Sequence, residues 1–525
     1  MTRLLVVASI ALATMAASKA AADQLRVFNE RVSGVPSANP VEVTDNVYSP
    51  EFGPALVVEG IDLLENPSGV ITTFGNLSSG PRTEPDENTY LILDHNPGGP
   101  TPDYDYGRHF LFQGHENSGD LAYVTRINLD VASPDHRITL LTPVGADGLT
   151  HFNSIDGSCW NPFSGTMLFT QEAGNLIGTG IGGVIEMSSD FDPNTGGGAG
   201  LRTLYGSMGR GGFEGIHPDD QANVWLVEDV GGTTVMNNGR NPNSFVYRFV
   251  PTTPGDLTHG KLQALQVSIN GSPVVFVPVD ANNPNGDTRS DNQLRLHTIG
   301  ASWPVQWVTV HDTAVDGTAP FDASAAAKAA GATPFKRPEN GQFQPGSHFR
   351  TFFFTITGDT DNTAGSDPVL AARGAWGGIF RVDLNGNRNG GTISLVVLGD
   401  ADHASFDNIT FVDDRDTILV AEDRGDALHD QLNTLDSIWA YKLNRQHPDR
   451  NLVARFVALG LDRMATDEDN EPTGVHMSEG DASIRGLIGT REFRTDRARL
   501  FFTWQHGENN LFEVFPREED HGNDR

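Results

Sequence analysis

The residues of this sequence best suited to chemistry are a single thiol and a set of carboxylates. Cys159 is the only cysteine, and a turn and a short apolar strand lead from it to Glu172. A thiolate favours zinc, copper or iron, whereas carboxylates without many histidines favour calcium, manganese or ferric iron. A structural zinc site would need three or four Cys or His ligands. Because a lone cysteine is more often a small buried apolar residue, Cys159 has two interpretations, metal ligand and packing residue.

The candidate carboxylates occur at strand ends or turns rich in Gly, Asn and His, and they are Glu116, Glu172, Glu214, Glu339 and Asp407. If equivalent positions of a repeated structure converge on one axis, these side chains repel each other unless cations lie among them. Alternatively, each carboxylate caps a turn or pairs with a neighbouring arginine. The first interpretation predicts a cluster of cations on the axis.

Arg337 is the candidate for binding an anion. It precedes Glu339 by two residues and would share a face with it in an extended chain. A guanidinium binds phosphate through two parallel hydrogen bonds, so next to a metal cluster Arg337 predicts a phosphate site. Elsewhere it would be an ordinary ion-pair partner. The sequence contains no Walker loop, no Gly-x-Ser-x-Gly elbow and no His-Glu-x-x-His motif.

Two recurring elements indicate how these side chains could be positioned. The first is an apolar strand that ends in an acid, and its clearest copies end at Glu116, Glu172, Glu228 and Glu422, with looser copies ending at Gly358 and His506. An alternating strand follows each copy. The spacings 172 − 116 and 228 − 172 are both 56 residues. Six copies predict a six-bladed β-propeller, with a pair of β-sandwiches as the alternative fold.

The sequence therefore predicts an all-β protein, a six-bladed β-propeller with loop insertions and one or a few short helices. The propeller covers residues 85–516, with its largest insertion at about 270–335. That insertion begins with an apolar segment at 273–278, which predicts a strand, and later contains an Ala-rich segment after Asp322, a candidate helix N-cap. Residues 23–84 are expected to form an N-terminal arm that packs on the propeller, and 517–525 a charged tail.

The first 22 residues predict a secretory signal peptide. Arg3 is followed by the apolar stretch 4–17 and by small residues before Asp23. This apolar stretch is too short to span a bilayer comfortably, and no later stretch qualifies. We therefore expect a periplasmic or secreted protein without membrane insertion. The leader has no twin-arginine pair, so the general secretory route is the simpler prediction.

Charge and cysteine content narrow the possible partners. The chain has 36 Lys and Arg against 68 Asp and Glu, a net charge of −32. Such a charge argues against nucleic acid or an anionic membrane as partner. It fits a solvated acidic surface or a supply of carboxylates for calcium. A single cysteine excludes an intramolecular disulfide, so the core must stabilise the fold, and we expect a monomer.

Several short motifs follow each other in a specific order, namely His115-Glu116, Cys159 to Glu172, Phe213-Glu214, Glu228-Asp229, Arg337-Pro338-Glu339, Asp407-Asn408 and Gln505-His506. This order resembles PhoX-type alkaline phosphatases from about residue 85 to 515. The Arg-Pro-Glu motif after an Ala-rich segment is among its more specific parts. The chain departs from the family at Trp160-Asn161-Pro162, where small residues including glycine are usual, and at Gly507, where proline is usual.

The resemblance implies a six-bladed propeller whose axial site holds a pair of ferric ions (Fe3+) and several calcium ions (Ca2+). It implies that Cys159 bridges the irons and that Arg337 holds the substrate phosphate. It also implies a set of carboxylate ligands to iron or calcium, with Glu116 a calcium ligand and the others being Glu172, Glu214, Glu339 and Asp407.

The leading prediction is an exported metal-dependent phosphatase that hydrolyses phosphomonoesters of small organic molecules at an axial iron and calcium cluster. One alternative is a calcium-dependent lactonase or esterase propeller, in which Cys159→Ser leaves activity intact. The other alternative is a non-catalytic calcium-loaded binding propeller, which calcium stabilises but which turns over no phosphate ester or lactone.

Overall fold

The computed structural model describes residues 32–37, 45–131, 133–172, 182–412, 416–460, 471–490 and 497–517. The predicted signal peptide, residues 1–22, lies outside the described residues, as does the predicted tail beyond 517. Among the described helices, none has the length and apolar character needed to cross a membrane.

Antiparallel strands dominate the described chain, and they form six blades that follow each other along the sequence. The strands of blade 1 are Glu84–Ile92, His109–Glu116, Tyr123–Asn128 and Ile138–Leu140. Those of blade 2 are Ile155–Asn161, Thr166–Gln171, Gly183–Met187 and Arg202–Thr203. Those of blade 3 are Phe213–Pro218, Val224–Glu228, Val246–Pro251 and Gly260–Ile269. We call the first strand of each blade its inner strand.

The second half of the propeller repeats this pattern. The strands of blade 4 are Pro338–Phe343, Thr351–Ile356, Gly378–Leu384 and Gly390–Leu398. Those of blade 5 are Phe406–Phe411, Thr417–Glu422, Ser437–Lys442, Leu452–Ala458 and, at the edge, Val47–Tyr48. Those of blade 6 are Glu471–Ser478, Arg499–Gln505, Leu511–Pro516 and Phe52–Val58.

An early and a late segment of the described chain meet in blade 6. Its outermost strand, Phe52–Val58, comes from the predicted N-terminal arm and pairs with Leu511–Pro516, the last of the described strands. The inner strands of successive blades lie side by side, and that of blade 6 lies beside that of blade 1. The ring is therefore closed, and the inner strands surround one axis.

Apolar clusters fill the spaces between neighbouring blades. Between blades 3 and 4, the ring of Trp225 lies 5.0 Å from that of Phe343 and 4.8 Å from that of Phe352, measured between centroids. Burial of a large apolar side chain contributes about 1.5–3 kcal/mol to stability. Packing of this kind on both faces of a blade holds its inner strand at a defined distance from the axis.

The insertion between blades 3 and 4 has its own strands and helices. Strand Trp303–Asp312 pairs with Gly260–Ile269 on one side and with Gly390–Leu398 on the other, which joins blades 3 and 4 into one sheet. The N-cap prediction is confirmed, since Asp322 accepts a hydrogen bond of 2.8 Å from the amide of Ala325.

The prediction of a strand over residues 273–278 is wrong beyond Pro273, where the observed strand ends. The edge of Gly260–Ile269 with which it could pair is occupied by Trp303–Asp312. The remaining short strands are Phe191–Asp192, Gly197–Gly198 and Ser272–Pro273. The described α-helices are Asp291–Leu296, Thr313–Asp316, Ala323–Ala329, Asn362–Ser366, Pro368–Ala371 and Gly425–Leu432. The described 3-10 helices are Pro134–His136, Met236–Asn238, Pro448–Arg450 and Ile484–Gly486.

Candidate metal centre on the propeller axis

Every inner strand carries a β-bulge near its start. In each blade the inner strand advances by three residues where its partner strand advances by two. In blade 1, for example, Pro85 pairs with His115 and Asn88 pairs with Gln113. A bulge of this kind re-aims the side chain of its extra residue. The first residue of the bulge is an acid in five blades and Gly474 in blade 6. We call the five acids the bulge acids, and they are Asp86, Asp156, Glu214, Glu339 and Asp407.

The bulge acids surround the axis. One carboxylate oxygen from each of Glu214, Glu339 and Asp407 lies within 4.8 Å of the others, and Asp86 and Asp156 are equally close to each other. Burial is the largest cause of the raised pKa of Glu214 and of Asp407, and the charges of Asp156 and Asp86, respectively, add to it, so the two sets are neighbours. The five bulges therefore aim five carboxylates at one small volume.

A second tier of acids comes from the ends of the second strands. Glu116 joins Asp86 and Asp156 in a group whose ligand atoms are all within 4.8 Å, and Glu172 and Asp229 do the same with Glu214. These strands run antiparallel to the inner strands, so their ends lie beside the bulges. The repeated strand-then-acid pattern thus delivers its carboxylates to the same end of the axis.

Burial and mutual repulsion disfavour the charged form of seven of these acids. For each of the seven, burial is the largest cause of a raised pKa, with the charges of neighbouring carboxylates adding to it. The pKa is raised to about 7 for Asp86 and to about 8 for Glu172 and Glu339. It is raised well above the ordinary value for Glu116, Asp156, Glu214 and Asp407. Bound cations would remove this repulsion.

Two buried oxygens at the centre lack a hydrogen-bond partner among the described residues. They are Oδ1 of Asp86 and Oδ1 of Asp229, whose residues are 6% and 3% exposed. A buried carboxylate oxygen without a donor is costly, and a cation satisfies it. Calcium takes six to eight oxygen ligands at about 2.3–2.6 Å, and clustered carboxylates supply such a set. The residues of this centre therefore fit hard cations.

Arg337 lies against this centre. Its Nε and Nη2 each approach Oδ2 of Asp229 to 2.8 Å, while Nη2 lies 3.4 Å from Glu339 and 3.8 Å from Asp423. Burial opposes the charge of the guanidinium, but the carboxylates around it raise its pKa well above the ordinary value. The side chain is 17% exposed, so a permanent cation lies partly open to solvent beside the acids.

Comparison with known proteins decides the family. The family model described as "Alkaline phosphatase PhoX" matches residues 209–475, about half of the 525 residues. The chain belongs to the PhoX family of alkaline phosphatases. It is accordingly a hydrolase of the alkaline phosphatase type, and PhoX enzymes depend on metal. Among curated proteins, a sequence search finds no match.

A solved structure supports the PhoX fold. "Pseudomonas fluorescens PhoX in complex with vanadate, a transition state analogue" is 13% identical, with 93% of this chain and 98% of that chain covered and a TM-score of 0.53. This likeness confirms the predicted six-bladed propeller. YCF48 from Cyanidioschyzon merolae is 10% identical over 82% and 95% of the two chains, with a TM-score of only 0.31. A glucose dehydrogenase is 8% identical over 70% and 96%, with a TM-score of 0.25.

The structure brings together most of the site residues expected for a PhoX enzyme. The five predicted carboxylates and Arg337 all lie in the groups described above, namely Glu116, Glu172, Glu214, Glu339, Asp407 and Arg337. One expected feature of Arg337 differs, because its φ of 52° places it in the left-handed region rather than in an extended chain. It still reaches Glu339, since its side chain lies across the start of the inner strand.

Cys159 does not join these groups. It lies on the inner strand of blade 2, three residues beyond Asp156, and packs in the apolar cluster that contains Leu168 and Ile216. It also lines a cavity of about 80 Å³, together with His217 and His476, among the far halves of the inner strands. Burial, and after it the charge of Glu87, raises the pKa of the thiol well above its ordinary value. None of the three carboxylate groups found among the described residues includes Cys159.

Three further acids of this PhoX centre were not among the predicted site residues, and they are Asp86, Asp156 and Asp229. A signal for the first two exists in the sequence, because an apolar residue or proline precedes every bulge acid and Gly, Asn or Glu follows it. The five copies are Pro85-Asp86-Glu87, Ile155-Asp156-Gly157, Phe213-Glu214-Gly215, Pro338-Glu339-Asn340 and Phe406-Asp407-Asn408. This repeat lies in the inner strands and is separate from the strand-then-acid pattern of the second strands.

Other polar candidates have structural partners. Glu228 accepts hydrogen bonds from the Tyr247 hydroxyl at 3.0 Å and from the Phe245 amide at 3.1 Å. Glu422 accepts from Arg424 at 2.7 Å. His115 stacks on Tyr123 and contacts a threonine hydroxyl at 2.8 Å. These residues hold the strand ends in place around the acids.

Gly157→Ala is expected to destabilise the propeller by about 1–3 kcal/mol and to weaken cation binding. A Cβ at this bulge position would lie 2.1 Å from the backbone oxygen of Glu214, so the two inner strands would have to separate. The measurement is the melting temperature with and without calcium. Gly386→Ala, at a turn where a Cβ meets nothing within 4 Å, is the matched control. Equal behaviour of both variants would contradict the expectation.

Proposed function

We propose that this PhoX-family chain is exported and, as a monomer, hydrolyses phosphomonoesters of small organic molecules at the carboxylate centre. The observation that carries the proposal is the convergence of the five bulge acids, the three second-strand acids and Arg337 at one end of the axis. A phosphate would be repelled by so many carboxylates, so its binding there requires cations as well as the arginine.

The residues that would hold cations are the bulge acids together with Glu116, Glu172 and Asp229. We propose Ca2+ and Fe3+, because both are hard cations that carboxylate oxygens bind well. When bound, such cations neutralise the phosphate oxygens and polarise phosphorus for attack.

The chain's own residues position the substrate. Asp229 holds the guanidinium of Arg337 in one plane by accepting hydrogen bonds from Nε and Nη2. A phosphate oxygen can then replace the longer contacts of 3.4 Å to Glu339 and 3.8 Å to Asp423. The Thr357 hydroxyl donates to Oε1 of Glu339 and so restrains that carboxylate. These restraints keep the carboxylate ligands of the metal ions and the guanidinium of Arg337 in a defined arrangement, which favours a single geometry for the reaction.

Removal of metal is expected to abolish hydrolysis. The mature protein from about Asp23 would be assayed with p-nitrophenyl phosphate before and after treatment with a chelator, alongside elemental analysis. We expect loss of nearly all activity with the chelator and recovery on addition of calcium and iron.

Three results would contradict the proposal. Hydrolysis that survives complete removal of metal would exclude the cation site as the reaction centre. Lactone or carboxylic ester hydrolysis without any phosphatase activity would favour the lactonase or esterase alternative. Stabilisation by calcium without turnover of any of these substrates would favour the binding propeller.

Export is tested separately. Full-length chain expressed in a bacterial cell should yield a processed protein outside the cytoplasm with an N-terminus near Asp23, because residues 1–22 have the pattern of a secretory leader. Fractionation followed by mass spectrometry of the intact protein measures this. Unprocessed chain confined to the cytoplasm would exclude the proposed route.

A further inference from the structure

We infer that the cation ligand supplied by blade 2 is Asp156 and that Cys159 takes no part, so that the chain's ligands at this centre are carboxylates alone. The inference deepens the proposed function, since it rests on the cation site proposed there. It does not depend on which reaction the site performs.

The first argument is the equivalence of the blades. Asp156 occupies the bulge position that holds Asp86 in blade 1 and Glu214 in blade 3, with the same register shift in each blade. It lies within 4.8 Å of Asp86 and Glu116 in one carboxylate group. The free Oδ1 of Asp86, in a residue 6% exposed, belongs to this same group and indicates a cation there. Blade 2 therefore contributes to the centre in the same way as its neighbours.

The second argument is the distance along the strand. Cys159 lies beyond the bulge that carries Asp156: from Ile155 to Cys159 the partner strand advances by three residues, which corresponds to about 10 Å of rise. It pairs in register with Leu168 and shares the apolar cluster of blades 2 and 3. The cavity that it lines contains none of the bulge acids. Because metal–ligand bonds are about 2.0–2.6 Å long, a ligand must lie much closer to the centre.

The third argument concerns the residues after the cysteine, where the sequence departs from its family. The indole Nε1 of Trp160 donates a 2.7 Å hydrogen bond to the carbonyl of Ala482, which ties this strand to the loop after the inner strand of blade 6. The side chain of Asn161 accepts from the Phe163 amide at 3.1 Å and forms the turn that follows. These two hydrogen bonds hold the backbone after Cys159 in the strand and in the turn that follows it, beyond the bulge that carries Asp156.

A centre of this composition has a distinct chemistry. A site with oxygen ligands alone favours hard cations such as calcium and manganese. Without a thiolate ligand, it has no preference for softer metals. An iron-loaded form would also lack the visible absorption that a thiolate-to-ferric charge transfer produces. Both properties can be measured without any reference to catalysis.

The test compares Asp156→Asn with Cys159→Ala in the mature, metal-free chain. Calcium alone is the probe, titrated by isothermal calorimetry and by the shift in melting temperature. We expect Asp156→Asn to weaken calcium binding by about 10–100-fold, the range found when groups around a metal site are changed. Cys159→Ala should bind calcium within about two-fold of the parent, and its iron-loaded absorption spectrum should match that of the parent. Circular dichroism of each metal-free variant shows whether the propeller is folded, and Asp156→Glu, which keeps the charge, should restore part of the affinity.

Each other outcome overturns the inference. Loss of calcium or iron in folded Cys159→Ala, or a visible band of the parent that disappears in this variant, would make the cysteine a ligand. Unchanged calcium binding by Asp156→Asn would remove Asp156 from the centre.

The inference and the proposed function can fail separately. Calcium binding that depends on Asp156 without phosphate ester hydrolysis would remove the function and keep the ligand assignment. Full hydrolysis of phosphate esters together with metal binding that depends on Cys159 would keep the function and remove the ligand assignment.

Discussion

Arg337→Ala is expected to lower kcat/KM for p-nitrophenyl phosphate by about 10²–10³-fold, the cost of removing one group that stabilises charge in a transition state. The guanidinium is a cation that the chain itself places against the acids, held by Asp229 at 2.8 Å. Its removal also leaves that carboxylate without its partner. Arg337→Lys should recover only part of the loss, because an ammonium keeps the charge but not the planar pair of donors.

The matched control is Arg381→Ala, in the third strand of blade 4. Arg381 also pairs with a carboxylate, Asp383 at 2.7 Å, but on a strand that does not reach the axis. We expect kcat/KM within about two-fold of the parent, since exposed ion pairs contribute about 0–1 kcal/mol. An Arg337→Ala variant as active as Arg381→Ala would exclude Arg337 from phosphate binding.

Glu214→Gln is expected to have opposite effects on stability with and without metal. Glu214 belongs to two of the three carboxylate groups, with Glu172 and Asp229 in one and with Glu339 and Asp407 in the other. In the metal-free protein, the substitution removes a carboxyl group whose charged form is disfavoured by burial and by the neighbouring carboxylates. The melting temperature of the metal-free variant should therefore rise above that of the metal-free parent. With saturating calcium the melting temperature should fall below that of the parent, and activity should fall by at least about 10²-fold, because a shared ligand is lost.

Glu228→Gln is the control that tests whether loss of any buried glutamate gives the same dependence of melting temperature on metal. Glu228 lies in the same blade and is also fully buried, but it accepts hydrogen bonds from protein donors and belongs to none of the carboxylate groups among the described residues. We expect it to lower the melting temperature by a similar amount with and without calcium. A Glu214→Gln variant that is destabilised equally in both states would contradict a cation-binding role for Glu214.

Much of the fold could be predicted from the sequence because the repeat is periodic. The copy of the strand pattern that ends at Glu116 is the second strand of blade 1, His109–Glu116, and the alternating strand after the copy ending at Gly358 is the third strand of blade 4, Gly378–Leu384. Pairings between distant segments could not be predicted. Phe52–Val58 closes blade 6, and Trp303–Asp312 joins two blades, because of partners that no local pattern identifies.

The site could be predicted in part for the same reason. An acid at the end of a periodic strand is visible in the sequence, which gave Glu116 and Glu172. An acid followed by glycine, as in Asp156-Gly157, has the appearance of a turn, and only the register of paired strands shows that it is a bulge. The two interpretations of Cys159 could not be separated, because the direction of a side chain depends on where that bulge lies.

Closure of the ring has a consequence for the order of folding. The pairing of Phe52 with Pro516 spans 516 − 52 = 464 residues, so the last blade can form only when almost the whole chain is present. Contacts between such distant segments form slowly. Asp407 of blade 5 and Asp86 of blade 1 are neighbours across blade 6 and therefore come together last. Cations held by both would bind the closed ring in preference to an open one, so that uptake of metal and completion of the propeller become a single step.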